Sequence, residues 1–462
     1  MPTPYPGHTT GLNLAVVGAG YVGLVTAACL ARLGHRATIL EVNHERLAAL
    51  RAGRVPFHEP GLQAMLESGI RESRLATTDD PATALHDRDA ILVCVGTPLS
   101  EEGDADLSQL RGACAMIAEH GGSGTVVIRS TLPLGTSALL AGWLGRVRLD
   151  GVATNPEFLR QGTAVQDFLA PHRIVIGTTD GRASIGSKLV ERMYQDLEAP
   201  VLITDFGSAD MIKNAANAFL ATKLSFINEI ADLCEAYGAD VERVVEGIGL
   251  DPRIGKTYLR PGIGFGGSCL PKELTNLMRL GRDRRLPVHL LHAASNENGG
   301  RAGRIADRLQ GLVRGLAGRR VALLGLSFKP DTDDLRYSPA VELARALVER
   351  GASVIAHDPV VPIEHTSHVP GLKRATTVDL ACADADVVVL ATEWSQYQAI
   401  DWAALRFVVA RPFVFDGRNA LDRHALRAAG WEVARVGQSF VANRSSAKPM
   451  AARQVAGAAA AP

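Results

Sequence analysis

Residues 12–23 read LNLAVVGAGYVG, and this stretch decides the fold of the first part of the chain. The apolar run Leu12–Val17 predicts a buried strand, and the glycines after it predict a tight turn into a helix. Working outward, Ala37–Glu41 predicts the next strand, and the runs at 89–95 and 125–129 continue the series. Strands that alternate with helices in this way indicate an α/β fold with a parallel sheet and right-handed crossovers.

The last third of the chain repeats this plan in outline. Strands are predicted at Arg320–Gly325, Ser353–Asp358 and Asp386–Thr392, in the same order as in the first half. This part has no GxGxxG turn, which is the usual phosphate-binding turn of a dinucleotide site. We therefore predict two Rossmann-like domains, of which the second binds something other than a dinucleotide.

The middle of the chain has a helical pattern. Ser208 is predicted to cap a long connecting helix that runs to about Tyr237, with Gly238 as its stop. Apolar side chains lie on most of its faces and predict that it is buried: Met211, Ile212, Phe219, Leu220, Leu224, Phe226, Ile227 and Ile230. A long buried helix suits a central helical domain that joins the two Rossmann-like domains.

Composition excludes several classes of function. The chain has 462 residues, enough for about three domains, and 49 basic residues balance 49 acidic ones. This balance provides no large basic field for nucleic acid or for an acidic membrane. The six cysteines show neither CxxC pairs nor metal-ligand spacing, so we expect no metal site and a reducing compartment. The first ten residues do not resemble a signal peptide, which favours the cytoplasm.

The glycine turn predicts a cofactor site. In a Rossmann domain Gly18, Gly20 and Gly23, with Tyr21 and Val22 between them, would bring backbone and a helix N-terminus to a pyrophosphate. Glu41 ends the second strand, where a partner of the ribose 2′-hydroxyl is expected. Because its carboxylate would repel a 2′-phosphate, NAD is favoured over NADP.

Two further loops follow strands of the same sheet. Gly96, Thr97 and Pro98 are expected to close over the cofactor, and Ser130 with Thr131 to lie nearer the nicotinamide. Each segment alone could be an ordinary loop. Their position at the carboxyl ends of parallel strands, where α/β proteins bind ligands, makes a binding role worth testing.

The most informative segment is residues 262–273, GIGFGGSCLPKE. Its glycines are expected to press the backbone of the loop against a ligand. Pro271 fits the first turn of a helix, which would place Cys269 near the positive helix end. Since a positive helix end stabilises a thiolate, Cys269 is a candidate nucleophile.

Lys213 and Asn217 are four residues apart and share one face of the long helix. Beside a nucleophilic cysteine they could stabilise an oxyanion, although a lysine in this place could equally extend to solvent. Glu157, in the segment NPEFLR, could by itself be a solvated loop charge.

In this order, the motifs resemble the UDP-glucose/GDP-mannose dehydrogenase family. The likeness covers about residues 12–440 and rests on GAGYVG, VGTP, RSTLPLGT, NPEFLR, the Lys213–Asn217 helix, DPRIG, GFGGSCLPK, GLSFKPDTDDLRYSP and FDGRN. NPEFL and GGSCLPK are similar to the UDP-glucose and GDP-mannose branches. The N-acetylmannosamine branch usually has histidine where this chain has Ser268.

The resemblance implies a four-electron oxidation of a nucleotide-sugar C6 alcohol with two molecules of NAD, through a thiohemiacetal and a thioester on Cys269. It implies catalytic roles for Cys269, Lys213, Asn217, Thr131, Glu157, Glu273 and Gln161. It implies cofactor contacts by Gly18, Gly20, Tyr21, Val22, Gly23, Glu41, Gly96, Thr97, Pro98, Thr131 and Lys272. It implies substrate contacts by Glu157, Phe158, Leu159, Arg160, Lys213, Asn217, Arg253, Tyr258, Gly266, Lys329, Arg336 and Arg418.

Two positions depart from the family pattern. Gln161 stands where the family usually has glutamate, and an amide cannot exchange protons. Glu273 stands where the family usually has aspartate, so its carboxylate is carried one methylene further. Any acid–base role of position 161 would pass to Glu157, Lys213 or water.

We therefore predict an NAD-binding Rossmann domain over 1–205 and a central helical domain with the cysteine loop over 206–310. A nucleotide-sugar-binding Rossmann-like domain over 311–442 and a disordered tail over 443–462 would follow. The leading reaction is oxidation of UDP-glucose to UDP-glucuronate by a homodimer, and GDP-mannose is the nearest rival substrate. Two more distant hypotheses are a two-electron β-hydroxyacid dehydrogenase and a non-catalytic NAD-binding protein.

Overall fold

The structure is a computed structural model that describes residues 11–98, 100, 105–120, 124–145, 151–367 and 369–440. The tail predicted over 443–462 lies outside these residues. No helix in the described part is both long and apolar enough to cross a membrane.

The N-terminal domain is an eight-stranded sheet with helices on both faces. Its strands are β1 (Asn13–Val17), β2 (Arg36–Leu40), β3 (Leu75–Thr78), β4 (Ala90–Val93), β5 (Thr125–Ile128), β6 (Val152–Thr154), β7 (Ile174–Gly177) and β8 (Val201–Thr204). Its helices are α1 (Tyr21–Arg32), α2 (His44–Arg51), α3 (Leu62–Arg71), α4 (Pro81–Leu85), α5 (Ser108–His120), α6 (Leu140–Leu144), α7 (Ala164–Leu169) and α8 (Ile185–Met193). The strand order is β3-β2-β1-β4-β5-β6-β7-β8, and every pair except β6 with β7 is parallel.

Strand β1 lies inside the sheet because residues on both of its faces are apolar and buried. Val16 pairs with Ile39 on one side and with Leu92 on the other, so β1, β2 and β4 end at the same edge. The loops after these strands therefore meet at one edge, which is where a Rossmann domain binds its cofactor.

The central domain is helical, with α9 (Phe206–Tyr237), α10 (Val241–Gly249), α11 (Leu270–Asp283) and α12 (His289–Val313). The predicted cap of α9 was wrong: Asp205 is the N-cap, and its carboxylate accepts a hydrogen bond from the Ser208 backbone N–H at 2.8 Å. An aspartate is the better cap here because it meets the free N–H groups of the first turn and the positive helix end. Gly238 ends α9 in a left-handed conformation, as predicted.

The expectation that α9 is buried on most of its faces was also wrong. Met211, Phe219 and Phe226 are 46%, 65% and 47% exposed, and Leu233 and Tyr237 extend the same stripe. The first four positions recur every seven or eight residues and Tyr237 lies one turn beyond Leu233, so all five lie on one side of the helix. Most of the residues of α9 that face the protein are small or polar, including Lys213, and Ile227 is the large apolar residue among them.

The C-terminal domain is a parallel six-stranded sheet of order β11-β10-β9-β12-β13-β14. Its elements are β9 (Arg320–Leu324), α13 (Pro339–Glu349), β10 (Ser353–His357), β11 (Lys373–Arg374), α14 (Val378–Cys382), β12 (Val387–Leu390), α15 (Ser395–Gln398), α16 (Trp402–Leu405), β13 (Phe413–Asp416), α17 (Arg423–Ala428) and β14 (Glu432–Arg435). The predicted architecture of two Rossmann-like domains joined by a helical domain is confirmed.

Candidate active site

A cleft of about 1180 Å³ lies where the three domains meet. The carboxyl edges of both sheets and the N-terminal end of α11 form its walls. The structure brings to this cleft every residue that the sequence proposed for the site, except Gly23 and Arg253. Arg253 extends into solvent with its side chain 87% exposed and pairs with Asp251.

The glycine turn has the shape that a dinucleotide requires. A Cβ on Gly20 would meet nothing within 4 Å, so the backbone there is open to the cleft. Gly23 lies beneath the turn. A Cβ there would lie 1.9 Å from the carbonyl oxygen of Gly18, so this position requires glycine. The residues present therefore fit a bound pyrophosphate at the start of α1.

Glu41 is buried below this turn. Its carboxylate accepts hydrogen bonds from the backbone N–H groups of Ala19 at 2.9 Å and Asn43 at 2.8 Å, and it pairs with Arg46 at 2.8 Å. Burial would raise the pKa of Glu41, but these bonds together hold the pKa below its ordinary value. The carboxylate is therefore charged and holds the glycine turn in place, while it lines the cleft where a ribose would lie.

Cys269 is the N-cap of α11, and Pro271 lies in the first turn, as predicted. The expected stabilisation of the thiolate is not found. The side chain of Cys269 is open to the cleft, but the cleft walls surround it. This burial raises the pKa of the thiol, and the positive charge of Lys213 opposes the rise. Desolvation thus outweighs the charge of Lys213, and the free enzyme holds Cys269 as a thiol at neutral pH.

Lys213 does not extend to solvent. Its Nζ donates to the carbonyl oxygen of Glu157 at 2.5 Å and to the Glu157 carboxylate at 3.1 Å, and both side chains are buried. Burial alone would lower the pKa of Lys213, but Glu157 raises it above its ordinary value. Glu157 is therefore the buried partner of Lys213 rather than a solvated loop charge.

Among the described residues that line the cleft, Asn217 Nδ2 and Glu273 Oε2 are buried polar atoms without a hydrogen-bond partner, as are Arg129 Nε and Glu393 Oε2. A buried donor and a buried acceptor without partners are costly, so they mark places where a ligand or water can bind. Asn217 offers a donor for an oxyanion. Burial raises the pKa of Glu273, so this carboxyl group can hold a proton more readily than an exposed one.

Lys272 joins the cysteine helix to the cofactor loop. Its Nζ donates to the carbonyl and hydroxyl oxygens of Thr97 at 3.1 and 3.0 Å, and the Thr97 hydroxyl donates to the carbonyl oxygen of Thr131 at 2.9 Å. The position of Cys269 is therefore tied to the two loops that follow β4 and β5.

The glycines before Cys269 also permit close packing within the protein. A Cβ on Gly266 would lie 2.2 Å from the Tyr337 carbonyl oxygen, and Gly267, at φ +78°, packs against the ring of Phe328. These glycines therefore let the loop pack against the C-terminal domain. Gly266 and Gly267 also line the cleft, so the predicted approach of this loop to a ligand stays a prediction.

Cations from the C-terminal domain form the far wall. Burial, with the charge of Arg160, lowers the pKa of Lys329. Arg418 links two loops, since it donates hydrogen bonds to the carbonyl oxygens of Ala391 and Gly264 at 2.7 and 3.0 Å. Arg336 is more exposed and is held by Asp334.

Sequence reasoning missed one residue of the cleft wall, Arg129, and one residue that supports the wall, Glu59. Arg129 is buried in the cleft wall and donates to Asn155 and Tyr194, and among the described residues it has no acidic partner. Glu59 accepts hydrogen bonds from the Tyr21 hydroxyl and from two backbone N–H groups just after Gln161. Arg129 follows an apolar strand, and an arginine in that place was a signal that could have found it. No local sequence pattern marks Glu59.

Known proteins share this arrangement. Residues 12–198 match the NAD binding domain of the UDP-glucose/GDP-mannose dehydrogenase family, 207–299 match its central domain and 322–423 match its UDP binding domain. The chain belongs to the UDP-glucose/GDP-mannose dehydrogenase family. The cofactor is therefore NAD, and the protein is an NAD-dependent nucleotide-sugar dehydrogenase.

Relatives of known name extend over nearly the whole chain. UDP-glucose 6-dehydrogenase TuaD of Bacillus subtilis is 38% identical over 437 residues, which cover 93% of this chain and 94% of that protein. The UDP-glucose dehydrogenase structure from Pyrobaculum islandicum has a TM-score of 0.84 at 36% identity, covering 95% and 100% of the two chains. The UDP-D-ManNAc dehydrogenase structure from Pyrococcus horikoshii has a TM-score of 0.80 at 26% identity, covering 93% and 100%.

Proposed function

We propose that the protein oxidises UDP-glucose to UDP-glucuronate in two successive two-electron steps, with Cys269 as the nucleophile. The observation that carries the proposal is Cys269 at the N-terminal end of α11, in the same cleft as the glycine turn and the unpartnered amide of Asn217. The relatives named as UDP-glucose dehydrogenases are more similar in sequence than the UDP-D-ManNAc dehydrogenase, which supports UDP-glucose.

The glycine turn and Glu41 would hold NAD, which would supply the hydride acceptor for C6 in both oxidation steps. The first step leaves an aldehyde, and the sulfur of Cys269 adds to its carbon as a thiohemiacetal. The second leaves a thioester, and water then releases the carboxylate and returns the thiol. The covalent bond retains the sugar between the two oxidations.

The residues around Cys269 divide the remaining work. Asn217 and Lys213 donate hydrogen bonds to the oxygen on C6 as negative charge develops there. The Glu157 carboxylate, already bound to Lys213, is placed to take a proton from the alcohol or from water, and Thr131 orients that water. Because the pKa of Cys269 is raised, its proton must be removed as it attacks, and Glu273 lies on the next turn of α11 to receive it.

The deciding experiment is the yield of NADH per molecule of product across UDP-glucose, GDP-mannose and UDP-N-acetylmannosamine. Two NADH per UDP-glucuronate formed is the expected result. One NADH per substrate would instead support a two-electron dehydrogenase, and turnover of GDP-mannose without turnover of UDP-glucose would overturn the substrate assignment.

We further propose that the protein acts as a homodimer in the cytoplasm. The exposed stripe of α9 supports the first part, since a row of large apolar side chains on one helix face suits contact with a second copy. All six cysteines are free thiols, which suits a reducing compartment. Light scattering of the wild type and of Phe219→Glu tests the dimer, and a monomeric wild type would contradict it.

A further inference from the structure

Gln161 crosses from the N-terminal domain to the C-terminal domain. Its amide nitrogen donates to the Asp334 carboxylate at 3.0 Å, and its amide oxygen accepts a hydrogen bond from the Thr332 hydroxyl at 3.2 Å. Both polar ends of the amide are therefore used in contacts to the loop after β9. The side chain faces the other domain, and neither of these contacts is to Cys269.

Asp334 is in turn the anchor of Arg336. The Asp334 carboxylate is only 9% exposed and accepts from Nε of Arg336 at 2.9 Å and from its Nη2 at 2.6 Å. Such a two-point contact fixes the plane of the guanidinium. Burial would raise the pKa of Asp334, but the hydrogen bonds from Arg336 and Gln161 hold it below its ordinary value, so the anchor stays charged.

Arg336 keeps donors for a ligand. Its side chain is 60% exposed and lines the cleft, and its Nη1 makes no hydrogen bond to any described residue. Its backbone carbonyl oxygen accepts from Gly267 at 2.9 Å, so this arginine is also fixed relative to the cysteine loop. A guanidinium with a fixed plane and free donors suits the oxygens of a diphosphate.

We propose that Gln161 is a positioning residue that acts through Asp334 to orient Arg336 toward a diphosphate in the cleft. The inference rests on the proposed function, because the diphosphates in question are those of the nucleotide sugar and of NAD. It also gives the departure at position 161 a physical meaning. An amide supplies the donor that Asp334 needs, whereas a glutamate would bring a second negative charge to a buried carboxylate.

The test compares Gln161→Met, Asp334→Asn and the double variant with the wild type. Gln310→Met is the matched control, since Gln310 is exposed on α12 and does not line the cleft. Calorimetric titrations with UDP-glucose and, separately, with NAD give the Kd of each diphosphate, and steady-state assays give kcat and KM. Thermal unfolding establishes that each variant is folded, and the two single variants provide independent tests.

Gln161→Met is expected to weaken binding of one diphosphate ligand about tenfold, as expected for a lost hydrogen bond to a charged group, with kcat within about twofold of wild type. The double variant should bind no more weakly than Asp334→Asn, because Gln161 acts through Asp334. A loss confined to UDP-glucose assigns Arg336 to the nucleotide-sugar diphosphate, and a loss confined to NAD assigns it to the cofactor.

Three results would overturn the inference: unchanged Kd values for both ligands, a fall in kcat with unchanged Kd values, and additive losses in the double variant. The wild-type titration separately decides the proposed function. A wild type that does not bind UDP-glucose contradicts that substrate. In that case the role of Gln161 is still decided with NAD, from the ratio of the variant Kd to the wild-type Kd.

Discussion

Replacing Lys213 by methionine should make Cys269 much less reactive. Among the influences on the pKa of Cys269, the charge of Lys213 is the largest that opposes burial. In an effective dielectric constant of about 20, a nearby unit charge contributes on the order of 1 to 3 kcal/mol, which corresponds to about 10- to 100-fold in the fraction of thiolate. Lys213→Met should therefore raise the pKa of Cys269 further and slow its reaction at pH 8 by about 10- to 100-fold.

The assay is alkylation of the ligand-free enzyme by iodoacetamide between pH 7 and pH 10, with the modified peptide identified by mass spectrometry. Cys269 is the exposed thiol, and the other five cysteines are buried, so it should react first. Because the pKa of Cys269 is raised, the wild-type rate should still be increasing above the pH at which an ordinary thiol levels off.

Two further variants make the prediction specific. Glu157→Gln removes a negative charge that raises the pKa of Cys269 but also the partner that keeps Lys213 charged, so it should change the alkylation rate less than Lys213→Met does. Lys223→Met is the matched control, since Lys223 lies on the same helix and contacts the Ile254 carbonyl oxygen outside the cleft. Equal rates for wild type and Lys213→Met, or a larger change for Glu157→Gln than for Lys213→Met, would refute the electrostatic argument.

Three other predictions follow from the same contacts. Cys269→Ala should abolish steady turnover and leave the Kd for NAD within about threefold, measured by titration; full activity would exclude covalent catalysis. Glu41→Ala should raise the KM for NAD about tenfold or more and shift preference toward NADP, because Arg46 loses its partner; an unchanged ratio of kcat/KM for NAD and NADP would contradict this. Burial raises the pKa of Asp210, which binds the Ser137 hydroxyl, to about 7. Its folded pKa thus exceeds its unfolded value, so the stability that it contributes is present at low pH and is lost as pH rises toward 7. Asp210→Asn should therefore raise the unfolding midpoint at pH 8, with the gain shrinking toward pH 5, and a gain independent of pH would contradict the shifted pKa.

Much of the fold could be read from the sequence because its signals are local. The apolar run before Gly18 specifies a strand buried on both faces, and the glycines after it specify a turn that other residues would block. Pro271 and Gly238 likewise mark a helix start and a helix end through backbone geometry alone. These rules act over a few residues, so they hold before the chain has folded.

The solvation of the site residues, their hydrogen-bond partners and the exposure of apolar side chains depended on tertiary structure. Whether Cys269 is a thiol or a thiolate depends on the walls that surround it, and these come from other domains. The predicted burial of Phe219 failed for a related reason: an apolar side chain at helical spacing does not show whether it faces this chain or is left exposed.

The sequence by itself determined the alternation of strands and helices and the glycine turn, and it pointed to Cys269 as a candidate nucleophile, since these rest on short-range sterics and on residue chemistry. Only the tertiary structure decided that Lys213 binds Glu157, that Gln161 meets Asp334 from 173 residues away and that Arg253 stays outside the cleft. Contacts of this kind depend on how the three domains pack. A local sequence pattern does not show how close two side chains lie in space when they are far apart in the chain.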